Sequence, residues 1–131
     1  QLNSFLNNSF SLGKAATKVN QGLTNFIYKK IKNNFKEKLK KKKIGILGVA
    51  FKPDIDDIRD SLSIDLYKFL KRKKLNVKIS DDFVKLNEII DKKRLIKESD
   101  IIILGVPHSS YKKLKIPKNK YLIDTWGFFE K

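Results

Sequence analysis

The sequence predicts an α/β protein: a small parallel sheet with flanking helices, preceded by one long helix. Three observations carry this. Two short apolar runs, Ile44–Val49 and Ile101–Leu104, lack the polar alternation of a half-exposed strand, as expected for strands covered on both faces. A segment of helical periodicity, Leu62–Lys73, lies between strand-like runs, so strand and helix alternate as in βαβ units. Ahead of them, residues 11–39 repeat apolar side chains at spacings of three and four.

Taken in order, Gln1–Phe10 is polar and rich in Asn, and reads as a loop or a cut end. Ser11–Leu39 reads as a helix with Leu12, Ala16, Val19, Leu23, Phe26, Ile27, Ile31 and Phe35 on its apolar stripe, and Ser11 as its cap. Such a helix spans roughly 40 Å, longer than a small domain requires. The lysine run of 36–43 suits a helix C-terminus, where cations meet the negative end of the dipole. Lys43–Val49 is the first strand. Gly48 and Pro53 then open a loop crowded with Asp54, Asp56, Asp57 and Asp60, and Ser61 caps the next helix. Asn76–Ser80 alternates as a second strand, closed by Asp81 and Asp82. Phe83–Lys97 reads as one or two short helices, Asp100–Leu104 as a third strand and Ser109–Lys115 as a short helix or turn. Tyr121–Asp124 reads as a last strand, with Trp126 and Gly127 turning the chain away.

The 131 residues suit one domain with an appended helix, and 40% hydrophobic content supports a core. A chain that starts on Gln and holds no Met reads as a fragment of a longer protein. No apolar run approaches the roughly 20 residues of a membrane span, and the first residues lack the pattern of a signal peptide. With no cysteine, disulfides, thiolate metal sites and a cysteine nucleophile are excluded from this stretch, and a cytoplasmic setting is favoured. The net charge is +16, yet all but Arg59, Arg72 and Arg94 of the 30 basic residues are Lys. Base readers lean on the bidentate Arg fork, so this charge reads as solvated surface rather than a nucleic-acid footprint.

The chemistry-bearing residues begin with an absence. A dinucleotide turn needs G-x-G-x-x-G between strand and helix, and here only Gly48 is present, followed by Val49, Ala50, Phe51, Lys52 and Pro53. The carboxylates of the same loop repel a pyrophosphate laid upon it. The fold therefore reads as a Rossmann relative that does not hold NAD in the usual way. Lys52, just past a buried strand and stiffened by Pro53, suits an ammonium aimed at a phosphate or sugar oxygen, or a merely solvated one. Arg59 pairs with Asp56, Asp57 or Asp60 on a purely structural reading. The acidic loop lacks the Gly and distal Glu of a calcium loop, so no metal is expected. Asp81 either binds a ribose hydroxyl or closes a turn, with the turn preferred. His108, the single histidine, has no acid or nucleophile near it in sequence and reads as a structural hydrogen-bonding residue; no catalytic residue is assigned.

The stretch Leu47–Ser61, LGVAFKPDIDDIRDS, resembles the opening of the C-terminal domain of the UDP-glucose/GDP-mannose dehydrogenase family, and within it the UDP-N-acetylmannosamine dehydrogenases. Around it, ATKVN at 16–20 resembles the family's connecting helix, SDIIILGVPH at 99–108 its third strand, and IDTWG at 123–127 its last strand. The resemblance implies a division into residues 1–40, a loop and long linker helix that forms a homodimer through 11–39, and residues 41–131, a Rossmann-like UDP-sugar-binding domain. It implies that Phe51 and Lys52 contact the UDP-sugar, and that Arg59 reaches NAD held by a separate N-terminal domain. It also implies a parent enzyme that oxidises the C6 alcohol of a nucleotide sugar to a uronate with NAD, through a cysteine-linked intermediate. This chain carries neither that cysteine nor the glycine-rich turn, so by itself it is expected to be inactive. Trp126 and Thr17 stand where relatives often carry a basic residue. Two other classes stay open on the residues alone: a self-sufficient nucleotide-binding regulatory module, and a basic nucleic-acid-binding protein.

Overall fold

The structure is a computed structural model that describes residues 13–129, with side chains from residue 22 onward. Helix α1, Gly13–Phe35, leads into a 3-10 helix over Lys36–Lys41. Then follow β1 (Lys43–Leu47), α2 (Leu62–Arg72), β2 (Asn76–Ser80), α3 (Lys92–Glu98), β3 (Ile101–Leu104), a 3-10 turn over Ser109–Tyr111, and β4 (Tyr121–Ile123). The strands form one sheet in the order β2-β1-β3-β4, and every pairing is parallel. This is the expected small Rossmann-like sheet with flanking helices behind a long one.

Two apolar layers sandwich the sheet. On one face Ile44, Ile46, Ile101 and Ile103 pack with Leu66 and Leu70 of α2 and with Ile27 and Ile31 of α1. On the other, Leu47, Ile102 and Leu104 pack with Leu95 and Ile96 of α3 and with Tyr111. Alternate residues of β1 and β3 thus serve opposite faces, and both faces are dry, which explains the unbroken apolar runs. Burying each such side chain contributes about 1.5–3 kcal/mol.

The long helix departs from expectation at its end. It stops at Phe35 because Lys36 takes a left-handed backbone, φ +54°, and the chain tightens into a 3-10 turn that buries Leu39. Burial of Leu23, Ile27 and Ile31 follows the predicted stripe, whereas Phe26 is 52% exposed. Ser11, its expected cap, and Leu12 lie outside the described residues. Downstream, Ser61 caps α2 as expected, its hydroxyl accepting the N–H of Ile64 at 3.2 Å. The segment after β2 holds one helix, α3, capped by Asp91. Before it, Asp81 takes the N–H groups of Phe83 and Val84, and Ile90 donates to the Ile79 carbonyl at 3.0 Å. The amides of Phe83, Val84 and Ile90 therefore find partners without a helix.

Candidate functional site

The site lies at the carboxyl end of the sheet, where open α/β folds bind ligands. Strand β1 gives way after Leu47 to Gly48, where nothing with a side chain fits. Its φ is +91°, and a Cβ would sit 2.5 Å from the Val106 carbonyl oxygen. Gly105 meets it from β3; a Cβ there would collide with the Gly48 carbonyl and Ser63. The close approach of the chain just after β1 to the chain just after β3 needs glycine at both positions.

The loop 48–61 is tied at many points. Asp81, its side chain wholly buried, accepts the N–H of Val49 at 2.7 Å and of Ala50 at 3.2 Å on Oδ2, and those of Phe83 and Val84 on Oδ1. The His108 ring, also wholly buried, lies with Nε2 2.8 Å from the same Oδ2. Its Nδ1 accepts the Asp54 N–H at 2.8 Å. Asp54 in turn accepts the N–H and hydroxyl of Ser109 at 2.8 and 3.0 Å. Ser61 donates to the Val49 carbonyl at 2.6 Å, and the Phe51 N–H to the Asp57 carbonyl at 2.7 Å. Burial pushes the Asp81 carboxyl up, but the bonds from His108 and from the Val84, Val49 and Phe83 amides outweigh it and hold the group at about 2. Asp81 is thus the turn-closing residue and more: its oxygens are spent on the protein, not on a ribose.

The three predicted contact residues share this loop. Phe51 is half-buried, and exposed Lys52 places Nζ 5.6 Å from the Phe51 ring centroid. Arg59 is exposed and grips Asp57, with Nη2 2.8 Å from Oδ2 and Nε 3.1 Å from Oδ1. That hydrogen bond, with the Arg59 amide, brings the Asp57 carboxyl down to about 2. Trp126, 39% exposed at the same end, donates its indole N–H to the Gly105 carbonyl at 3.2 Å. No group of three metal-ligating acids or imidazoles occurs among the described residues.

Sequence reasoning missed the linkage of Asp81, His108 and Asp54. They stand 27 and 54 residues from one another along the chain. The one usable signal was topological: in a β2-β1-β3 order, the residues just after those strands become neighbours.

The loop does not fit a dinucleotide in the standard manner. Its first amides, which would face a pyrophosphate, already donate to Asp81. Fold and rim together define a Rossmann-like domain whose first loop is tied down by its own carboxylate. Residues 45–131 match the model of the UDP-glucose/GDP-mannose dehydrogenase family, UDP binding domain. The chain belongs to that family. It is 31% identical over 122 residues to a UDP-N-acetyl-D-mannosamine dehydrogenase of Campylobacter jejuni, covering 85% of this chain and 30% of that one. It is 29% identical to a GDP-mannose 6-dehydrogenase of Azotobacter vinelandii, covering 66% of this chain and 25% of that one. The solved structure of a UDP-N-acetyl-mannosamine dehydrogenase from S. aureus superposes with a TM-score of 0.74 at 25% identity, over 87% of this chain and 29% of that one. The chain therefore spans about 30% of the length of the first of these relatives, and matches the C-terminal UDP-binding domain of such enzymes.

Proposed function

We propose that residues 41–131 form the domain that closes over the nucleotide sugar in an NAD-dependent UDP-sugar 6-dehydrogenase, of the UDP-N-acetylmannosamine or UDP-glucose type, oxidising a C6 alcohol to a uronate. The supporting observation is the family match over 45–131 combined with an exposed Lys52 on a tied loop at the sheet's carboxyl end. Lys52 supplies a cation to the diphosphate or sugar, and Phe51 an apolar surface beside it. Arg59, kept in one orientation by Asp57, faces NAD carried by a separate N-terminal domain. This domain holds no NAD by itself, in keeping with amides already committed to Asp81.

Residues 1–40 serve as linker and dimer helix in the same reading. The 52% exposure of Phe26 on α1 supports a second copy packing there. Among the described residues no helix is long and apolar enough to cross a membrane, and the reading places the enzyme in the cytoplasm.

Calorimetric titration tests the reading. The 131-residue chain is expected to bind UDP weakly, to lack tight NAD binding and to turn nothing over. Tight binding of NAD by this chain alone overturns the proposal.

A further inference from the structure

The Lys52 ammonium sits on a flexible stem, so its aim depends on the backbone beneath it. That backbone is gripped on both sides by one buried pair. On the near side, Asp81 Oδ2 accepts the Ala50 N–H at 3.2 Å; on the far side, His108 Nδ1 accepts the Asp54 N–H at 2.8 Å. Asp54 adopts φ +62°, a left-handed conformation that costs a non-glycine residue about 1–2 kcal/mol. Something must hold it there. His108 is built for that: it is wholly buried between Phe83, ring centroids 4.7 Å apart, and Tyr111, at 5.3 Å.

The proton positions follow from donor chemistry. An amide N–H only donates, so Nδ1 must present its lone pair to Asp54, and the ring proton resides on Nε2, where Asp81 Oδ2 accepts it. The two nitrogens have separate tasks: Nε2 fixes the ring, and Nδ1 fixes the loop.

We propose that His108 is a positioning residue for nucleotide-sugar binding, setting the place of Lys52 by holding the Asp54 amide through Nδ1. This deepens the reading of Lys52 as a substrate contact and rests on it. His108 itself touches no substrate.

The test uses the 131-residue chain and exploits its single histidine, whose ring signals need no assignment. In the wild type, long-range proton–nitrogen NMR at neutral pH is expected to show the Nε2–H tautomer. An Nδ1–H tautomer or a doubly protonated ring overturns the proposal without any mutant. His108→Asn keeps an oxygen acceptor near Nδ1 but no longer reaches Asp81. His108→Gln keeps a donor near Nε2 but offers Asp54 nothing. Asn is therefore expected to lower the thermal midpoint while retaining slow Asp54 amide exchange and UDP affinity. Gln is expected to speed Asp54 exchange and weaken UDP binding, followed by amide shifts at millimolar ligand, by about tenfold, the worth of one charge-assisted contact. Equal Asp54 exchange in all three proteins overturns the latch. Faster exchange in Gln with unchanged UDP affinity, while Lys52→Ala still weakens binding, overturns the positioning role. If Lys52→Ala has no effect on UDP binding, the substrate reading fails, and exchange still reports the latch separately.

Discussion

Asp81 Oδ2 accepts the Val49 N–H at 2.7 Å, so the residue that follows β2 closes the turn that follows β1. The register makes this possible: Leu47 pairs with Ser80, which sets the next residues of both strands side by side. The first two amides of that turn therefore donate to a carboxylate of the protein itself.

Asp81 should govern stability in acid. Its folded carboxyl titrates at about 2, below the unfolded value of 3.8. A depressed folded value means that the stabilisation is complete above about pH 4 and is lost as pH falls toward 2; it is worth about 2 kcal/mol. Urea midpoints between pH 5 and 2 should show this fall in the wild type and a shallower one in Asp81→Asn. That variant should also be less stable at pH 7 by about 3 kcal/mol, because an amide nitrogen cannot accept the N–H groups that converge there. Parallel pH curves for the two proteins would refute this.

Lys52→Ala should leave the urea midpoint within about 0.5 kcal/mol of wild type, since the side chain is exposed. UDP affinity should drop roughly tenfold or more, the worth of a charge-assisted hydrogen bond. Lys52→Arg should recover only part of it, because the fork sits differently on the same loop.

Gly48→Ala should destabilise by about 2 kcal/mol or more. The new Cβ must tolerate φ +91° and a contact of 2.5 Å with the Val106 carbonyl. Chemical denaturation reads the effect directly. A change under half that size would mean that the β1 and β3 turns separate easily.

Arg59→Ala should be nearly silent in stability. Its ion pair with Asp57 is formed with an Arg side chain that is 87% exposed, where such pairs contribute little. If the proposed parent dehydrogenase is right, the same change made in it should raise KM for NAD more than KM for the nucleotide sugar. The opposite ordering would remove Arg59 from the cofactor side.

Much of this was visible in the residues. Strand β2 runs Asn76–Ser80 as expected, β1, β3 and β4 fall within a residue or two of their apolar runs, and Ser61 caps α2. These features are local: apolar pattern and side-chain capping act within a few residues. What escaped was of two kinds. Lys36 takes a left-handed conformation that its residue type does not announce, and Asp54 takes one that its contacts with His108 and Ser109 hold in place. The union of Asp81, His108 and Asp54 exists only once three parallel strands have brought distant loops together, so no window of sequence contains it.

The sheet order leaves β2 and β4 at the margins, with different consequences for behaviour at high concentration. Beside β2, the bridge between Ile79 and Ile89 occupies part of the outer ladder. Margin β4 is three residues long and offers a visiting chain only a brief template. Strand-by-strand aggregation of the folded molecule therefore has little purchase at either flank.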